Sequence, residues 1–567
     1  MLAYPFLTQK PFHLDAEAAQ WVEWTLSTLT SHQKLGQLFC LIAMSGDEAE
    51  IDRILDVMEP GGIMYRPLPL AQAVNFARML RERVPLPMLI AANLEKGGNG
   101  VIEEGTLMGS PMTVAATDAV DFAARLGTLC GREGAAVGAN WAFAPIIDID
   151  YNFHNPITNT RTFGSDPDRV RRMGRAYVEA IQKEGVAASI KHFPGDGVDG
   201  RDQHLLTSVN ALCAEEWDAT FGRAYQESID AGALTCMIGH IAQPAWTKKL
   251  NPSIRDEDIL PASLSPEMMQ GLLRGRLGFN GLIVTDATTM AGMTIPMPRK
   301  DAVPLTIAAG ADMFLFTRNM AEDFQYMVRG YEAGVITPER LDEAVARVLA
   351  LKAALGLHKE HPLPTVENAR AVVGCAEHRQ WATQCADHAI TLVKEQKGVL
   401  PLSAKKTPRV LYYPIESPAG FAYSAKQGVC DHFKEMLERE GFEVTVFEPK
   451  PLFEGAVPME RDIVGQYDLS IYLINMVTKS NQTTVRIEWQ QPMGANCPHY
   501  SASIPTVAIS VENPYHLQDI PRVKTYINTY NSTDATLAVL MDKLMGRSPF
   551  KGKSPVDPFC GMWDARL

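Results

Sequence analysis

A glycine-rich segment near the middle of the chain holds two residues at a spacing that suits proton transfer. Residues 191–204 read KHFPGDGVDGRDQH, in which Asp202 and His204 are two positions apart. On an extended backbone, side chains at this spacing point the same way. The carboxylate can then accept a hydrogen bond from one imidazole nitrogen and leave the other for a substrate. The pair is therefore a candidate acid/base dyad, although an Asp-x-His pair in a loop is also common as a structural feature.

A second candidate for chemistry is Asp286, which directly follows the apolar run GLIVT at residues 281–285. A run of this kind predicts a buried strand, which would hold a carboxylate at its end rigidly. A rigidly held carboxylate can attack a carbon atom as a nucleophile. The alternative is that Asp286 caps a helix beginning near Thr288.

Eight short apolar runs lie between residues 35 and 317, and each is followed by a helical stretch, which is the pattern of parallel βα units. We expect strands at residues 37–43, 61–65, 87–92, 140–146, 187–191, 233–238, 281–285 and 312–316. Eight parallel strands predict a closed (β/α)8 barrel, whose active site lies at the carboxyl ends of the strands. The polar residues expected at those ends are Asn93, Glu95, Arg161, Lys191, His192, His240 and Asp286.

A second, smaller domain is predicted after the barrel. Thr337 followed by Pro338 predicts the start of an amphipathic helix, and Gly356 predicts its end. After a helical stretch at residues 377–393, strands expected at 409–413, 444–447, 469–474, 506–511 and 525–530 predict a doubly wound α/β domain. The predicted organisation is a catalytic barrel over 1–357, a linker and connecting helix over 358–390, and a C-terminal α/β sandwich over 391–567.

The composition and the hydropathy argue against nucleic acid and membranes as binding partners. The 567 residues are 46% hydrophobic and 21% charged, with a net charge of −13, which gives no basic field for nucleic acid. The N-terminal residues MLAYPF lack the features of a secretory signal, and no stretch is apolar enough to span a bilayer. We therefore expect a cytoplasmic protein without a membrane partner. The nine cysteines are never spaced as zinc ligands, and the oligomeric state is left open.

Ordered motifs along nearly the whole chain resemble the family 3 glycoside hydrolases, and within them the β-N-acetylhexosaminidase branch. The motifs are NTRTFGSDP at residues 159–167, KHFPG at 191–195, DQH at 202–204, GLIVTD at 281–286 and AAGADM at 308–313. The family counterpart of DQH is an Asp-Ser-His dyad in the barrel. In the β-glucosidase branch a glutamate from the second domain serves instead, so the dyad favours a 2-acetamido sugar.

The resemblance implies a retaining exo-β-glycosidase that removes terminal β-linked N-acetylhexosamine, chiefly GlcNAc, by double displacement. Asp286 would attack the anomeric carbon, His204 would act as general acid and then general base, and Asp202 would orient His204. The substrate would be an amino-sugar oligosaccharide, a muropeptide or a glycoconjugate. Because a neutral imidazole repels an anion less than a carboxylate does, phosphate is an alternative to water as the acceptor.

Five further residues are implied in sugar binding, and some of them depart from the family pattern. Lys191, His192 and Arg161 would bind hydroxyls in the deepest subsite. Asn93 stands where the family has an aspartate that grips the distal hydroxyls, unless Glu95 substitutes for it. The choice between the gluco and galacto epimers therefore stays open.

Two more departures lie beside the expected catalytic residues. Asp196 replaces the usual histidine of the PGHG motif, which adds a carboxylate close to the dyad, and Ala287 stands where acidic or aromatic residues are usual.

Three other functions compete with this interpretation. One is a β-glucosidase or β-xylosidase that takes its acid/base from the second domain, where Arg486 and Glu488 are candidates for the mouth of the site. Another is a catalytically silent sugar-binding protein. The third is a metal-dependent hydrolase using His192, His204 and His240, but the sequence lacks a His-x-His motif after the first strand. We expect no metal and no cofactor.

Overall fold

The computed structural model describes residues 3–360, 362–417, 428–448, 459–481, 483–489, 491 and 494–567. The chain forms two compact units. The first comprises Met1–Met108, Val120–Asn152 and Pro167–Arg379, and the second comprises Gly109–Ala119, Phe153–Asp166 and Gln380–Leu567. Two segments of the N-terminal half therefore belong to the second unit. The domain limits expected from the sequence remain predictions.

The first unit is built on an eight-stranded parallel sheet. The strands of this unit are β1 (Phe39–Ala43), β2 (Gly62–Tyr65), β3 (Leu89–Ala92), β4 (Trp141–Ala142), β5 (Ala187–Phe193), β6 (Ser208–Val209), β7 (Thr235–Ile238), β8 (Ile241–Ala242), β9 (Leu282–Thr285) and β10 (Phe314–Leu315). The order is β10-β1-β2-β3-β4-β5-β7-β9, and β6 pairs with β8 separately. A parallel bridge between Val284 and Met313 joins the two ends of the large sheet. The predicted (β/α)8 barrel is confirmed, and each predicted strand overlaps an observed one.

After two N-terminal helices, helices alternate with the barrel strands, as expected for βα units. They are α1 (Ala16–Thr28), α2 (Ser31–Gln37), α3 (Glu48–Leu55), α4 (Leu70–Arg83), α5 (Pro111–Ala116), α6 (Val120–Ala136), α7 (Pro167–Lys183), α8 (Ala214–Trp217), α9 (Arg223–Asp230), α10 (Pro244–Leu250), α11 (Ala291–Thr294), α12 (Arg299–Ala309), α13 (Met320–Glu332), α14 (Pro338–Ala354), α15 (Val366–Val372), α16 (Ala376–Ala389), α17 (Val429–Arg439), α18 (Glu460–Ile463) and α19 (Asp534–Leu544). Asp218–Gly222 and Glu267–Arg276 are π-helical. Within the described ranges, no helix is both long and apolar enough to cross a bilayer.

Local chemistry explains where the best-predicted helix begins and ends. The Thr337 hydroxyl accepts a hydrogen bond from the backbone N–H of Arg340, which caps α14, and Pro338 occupies the first turn. Gly356, just beyond the helix, has a φ of 72°, a left-handed conformation that glycine adopts without strain.

The second unit contains a six-stranded sheet covered on both faces. Its strands are β11 (Thr391–Lys394), β12 (Arg409–Glu416), β13 (Glu443–Val446), β14 (Leu469–Asn475), β15 (Thr506–Ser510) and β16 (Thr525–Asn528), in the order β11-β16-β15-β14-β12-β13. Along β12, Val410 and Tyr412 pack into one apolar cluster, while Leu411 and Tyr413 pack into another. Because successive side chains on a strand point to opposite faces, the two clusters form the two layers of the predicted doubly wound domain.

The prediction of helix through residue 393 is wrong at its end. Helix α16 stops at Ala389, and Thr391–Lys394 forms β11, which pairs antiparallel with β16. The β-branched Thr391 and Val393 suit an extended backbone, and the pairing with β16 supplies hydrogen bonds that a continued helix would otherwise have to provide.

Candidate active site

Asp286 lies directly after β9, at the carboxyl end of a buried barrel strand. Its backbone N–H donates to the Ile238 carbonyl oxygen at 2.8 Å, and its Oδ1 accepts from the Ala287 N–H at 2.7 Å. Its side chain is 13% exposed, so the carboxylate is held by the fold and still accessible. Helix α11 begins at Ala291 with Met290 at its N-cap, so the alternative that Asp286 caps a helix is wrong.

Nearby histidines lower the pKa of this carboxylate. Burial by itself would raise the pKa of Asp286, but the nearby His192 and His204, together with the Ala287 N–H, outweigh it and hold the pKa below its ordinary value. His192 Nε2 lies 3.9 Å from Asp286 Oδ2. The carboxylate is therefore ionised at neutral pH, which is the state that a nucleophile requires.

Asp148 fixes the position of His192. Its Oδ2 lies 2.7 Å from His192 Nδ1, and its Oδ1 accepts from the His192 backbone N–H at 3.0 Å. Both side chains are almost fully buried. The sequence interpretation missed Asp148, although the alternation IIDID at residues 146–150, just after the fourth strand, was a usable signal.

Asp202 and His204 form a hydrogen-bonded pair. Asp202 Oδ1 lies 2.7 Å from His204 Nδ1 and also accepts from the His204 backbone N–H at 2.8 Å. The backbone here is a turn, so the extended geometry predicted from the spacing is wrong. A short aspartate side chain can fold back onto the N–H two residues later, and this brings the two groups together. Asp202 is fully buried and His204 is 28% exposed, with Nε2 left for another partner.

His240, which follows β7, supports the segment that carries the nucleophile. Its Nε2 lies 3.1 Å from the Ala287 carbonyl oxygen, and its Nδ1 lies 2.8 Å from Ser263 Oγ. A carbonyl oxygen only accepts, so Nε2 carries the proton and Nδ1 accepts from the Ser263 hydroxyl. Burial lowers the pKa of His240, so the ring is neutral. Among the described residues, no three His, Cys, Asp or Glu side chains are grouped to hold a metal ion.

Lys191 and Glu95 form a buried ion pair at the same end of the barrel. Lys191 Nζ lies 2.8 Å from Glu95 Oε1, and the two side chains are 4% and 11% exposed. Glu95 comes from the segment after β3, and Asn93 in that segment is exposed. The structure therefore brings Lys191, Glu95 and Asn93 to the barrel end that holds Asp286.

Replacing Glu95 with alanine is expected to lower the free energy of unfolding by about 3 kcal/mol, because a buried ammonium would lose its charged partner. Urea denaturation measures this loss. The matched control is Asp258→Ala, which breaks a solvent-exposed pair with Arg255 and should change the stability little. Equal losses of unfolding free energy in the two variants would contradict the inference that Lys191 and Glu95 form a buried ion pair.

The remaining predicted residues belong to the second unit. Arg161 ends the 3-10 turn Asn159–Arg161, and its guanidinium donates to the Ile157 carbonyl oxygen at 3.4 Å. Arg486 pairs with Asp519, and Glu488 is exposed. Their roles in the site stay predictions.

Comparison with known proteins agrees with this architecture. Residues 30–351 match the Glycosyl hydrolase family 3 N terminal domain. The chain is 51% identical over 564 residues to a Beta-N-acetylglucosaminidase/beta-glucosidase of Cellulomonas fimi, covering 99% of this chain and 100% of that protein. Among solved structures, Beta-glucoside phosphorylase BglX superposes with a TM-score of 0.93 at 48% identity, covering 99% of both chains. A family 3 beta-N-acetylglucosaminidase from Paenibacillus sp. str. FPU-7 shares the fold, with a TM-score of 0.79 at 24% identity over 94% of this chain and 100% of that one.

The barrel and the matched region define a β-glycosidase, an enzyme whose substrate is a carbohydrate. The chain belongs to glycoside hydrolase family 3.

Proposed function

We propose that this enzyme transfers terminal β-linked N-acetylglucosamine, and also glucose, through a covalent intermediate on Asp286. The observation that supports this proposal best is the placement, at one barrel end, of an ionised carboxylate and a carboxylate-bound imidazole that still has one nitrogen available. These are the two groups that double displacement needs.

The proposed reaction has two displacement steps, and in each step one bond to the anomeric carbon forms while another breaks. In the first step an Asp286 oxygen attacks the anomeric carbon while the bond to the leaving oxygen breaks, and His204 Nε2–H gives its proton to that oxygen. Asp202 stabilises the imidazolium form of His204 before the transfer. In the second step an acceptor oxygen attacks the anomeric carbon, the bond to Asp286 breaks, and His204 takes up the acceptor's proton if it has one to lose. Two inversions leave a β-configured product.

The sugar hydroxyls would be held by charged and polar groups at the same barrel end. Lys191 is oriented by Glu95, and His192 is oriented by Asp148, so both donors are fixed before a sugar binds. Preorganised donors lose little entropy on binding, which favours tight and directional recognition. Arg161 is proposed to join this set.

The identity of the sugar is supported by a relative rather than by geometry. The Cellulomonas fimi protein, 51% identical over its whole length, is named for both N-acetylglucosaminide and glucoside cleavage. The test compares kcat/KM for the p-nitrophenyl β-glycosides of N-acetylglucosamine, glucose and N-acetylgalactosamine. We expect turnover of the first two and little of the third; turnover of the glucoside alone would restrict the enzyme to a β-glucosidase.

We further propose that phosphate competes with water as the acceptor. The residue assigned as acid/base is an imidazole, which repels a phosphate anion less than a carboxylate would, and the BglX structure at 48% identity is named a β-glucoside phosphorylase. Adding phosphate to a reaction with p-nitrophenyl N-acetyl-β-glucosaminide is expected to yield the β-configured sugar 1-phosphate, detected by ³¹P NMR. Free sugar as the only product at high phosphate would leave hydrolysis as the sole activity.

The pH profile of kcat/KM is expected to be bell-shaped. Because the pKa of Asp286 lies below its ordinary value of 3.8, protonation of the nucleophile should remove activity only below that pH. The alkaline limb should report loss of the proton from the general acid, so it should vanish for a substrate whose leaving group needs no protonation. An acid limb well above pH 3.8 in protein that circular dichroism shows to be folded would contradict the assigned nucleophile.

A further inference from the structure

Gln203 lies between the two residues of the dyad, and its side chain is fully buried. Its Nε2 donates to Asp196 Oδ2 at 3.2 Å, and its Oε1 accepts from the His240 backbone N–H at 2.9 Å. These partners fix the orientation of the amide, because a carboxylate only accepts and a backbone N–H only donates. The amide therefore joins the segment after β5 to the segment after β7.

Both partners of Gln203 are themselves anchored near reacting groups. The Asp196 backbone N–H donates to Asp148 Oδ1 at 2.8 Å, which is the carboxylate that orients His192. His240 contacts the carbonyl oxygen of Ala287, the residue after the nucleophile. Gln203 thus lies at the centre of a buried hydrogen-bonded network that reaches both sides of the proposed reaction.

The backbone around Gln203 is also closely packed. The Ala291 N–H donates to the His204 carbonyl oxygen at 3.0 Å, and a Cβ added at Gly292 would lie 2.5 Å from the Gln203 carbonyl oxygen. The amide side chain and the neighbouring loop therefore hold the dyad segment from two directions.

We propose that Gln203 and Asp196 are positioning residues for the His204–Asp202 dyad and act together as one donor–acceptor pair. The proposal rests on the proposed role of His204 as acid/base. Both positions differ from the family pattern, which has serine and histidine there, and the structure shows that the two differences meet in one hydrogen bond.

Reversing the polarity of the pair tests the proposal. Gln203→Glu removes the donor and places a second buried carboxylate against Asp196, so the dyad should shift. We expect kcat/KM for a methyl or alkyl N-acetyl-β-glucosaminide, which needs protonation of its leaving oxygen, to fall by about 10- to 100-fold. With a 2,4-dinitrophenyl glycoside, whose leaving group departs unprotonated, the loss should stay within about threefold, because the glutamate keeps the bond to the His240 N–H on the side of the nucleophile.

The compensating change should restore activity. In the double variant Asp196→Asn with Gln203→Glu, the new amide donates to the new carboxylate, and the glutamate still accepts from the His240 N–H. We expect kcat/KM for the alkyl glycoside to recover to within about threefold of the value for the original enzyme, because the effects of substituting two directly bonded residues are coupled. Gln203→Met, which removes both bonds without adding charge, serves if the single glutamate variant does not fold.

Gln243 offers a matched control in the same unit. It is fully buried, its Nε2 donates to the Leu212 carbonyl oxygen, and its Oε1 accepts from the Trp246 N–H. Gln243→Glu should lower the midpoint of thermal unfolding and reduce kcat/KM for both substrates by the same factor. Equal losses on both substrates for the Gln203 variants, or no recovery in the double variant, would overturn the proposal. If His204→Ala also affects both substrates equally, the assignment of the acid/base fails instead.

Discussion

Asp286→Ala is expected to lower kcat by about 10⁴-fold or more on p-nitrophenyl N-acetyl-β-glucosaminide, because losing the nucleophile removes the covalent route altogether. The fold should survive, since the described side-chain hydrogen bond of Asp286 is to the N–H of its own neighbour, Ala287. Steady-state kinetics measures the loss, and circular dichroism confirms that the variant is folded.

The stereochemistry of rescue by azide makes this prediction specific to Asp286. In Asp286→Ala, azide can enter the space left by the carboxylate and displace the leaving group once, which gives an α-glycosyl azide. Proton NMR of the product distinguishes this α-azide from the β form. A variant that keeps more than about 1% of the original kcat would show that another group is the nucleophile.

His204→Ala is expected to produce the second largest loss, and its size should depend on the leaving group. General acid catalysis contributes about 10²- to 10⁴-fold, so alkyl glycosides should lose that much while 2,4-dinitrophenyl glycosides form the intermediate almost normally. Azide should then intercept the intermediate and give the β-azide, the opposite anomer from that of Asp286→Ala. Measuring kcat/KM across a series of leaving groups tests the dependence directly.

Two control variants test whether this loss belongs to His204 in particular. His388→Ala changes a half-exposed histidine whose Nδ1 bonds a carbonyl oxygen of its own helix, and it should leave the kinetics unchanged. Glu488→Ala tests the rival in which the second domain supplies the acid. The loss of kcat/KM in the true acid/base variant should grow as the leaving group becomes poorer. If that loss is the same for all leaving groups in His204→Ala but grows in Glu488→Ala, the acid/base is Glu488.

The barrel could be predicted from the sequence because short, mainly apolar runs mark most of its strands. Strands β2, β3, β7 and β9 are buried at every residue, so neither face needs polar side chains and the run itself marks the strand. Thr391–Lys394 was mistaken for helix because it follows α16 closely, and its partner β16 lies more than 100 residues later in the chain. A pairing at that separation leaves no local signal.

The catalytic candidates Asp286, His204 and Asp202 were accessible from the sequence because local features mark them. A carboxylate after a buried strand and an Asp-x-His pair in a glycine-rich loop are local patterns. The contacts that support these residues were not accessible in the same way. Asp148 and His240 come from other strand ends, and only the closing of the barrel brings those ends together.

The sequence by itself determined the barrel with its strands and the presence of a second α/β domain, because these depend on hydrophobic runs. It also determined the types of group that do the proposed chemistry, because these depend on residue identity. Tertiary structure decided the electrostatic surroundings and the orientation of those groups. Histidines that are distant in the sequence help to hold the pKa of Asp286 below its ordinary value, and the turn at Asp202 and the amide of Gln203 fix the dyad. Charges and hydrogen bonds act through space, so they depend on contacts that the order of residues does not reveal.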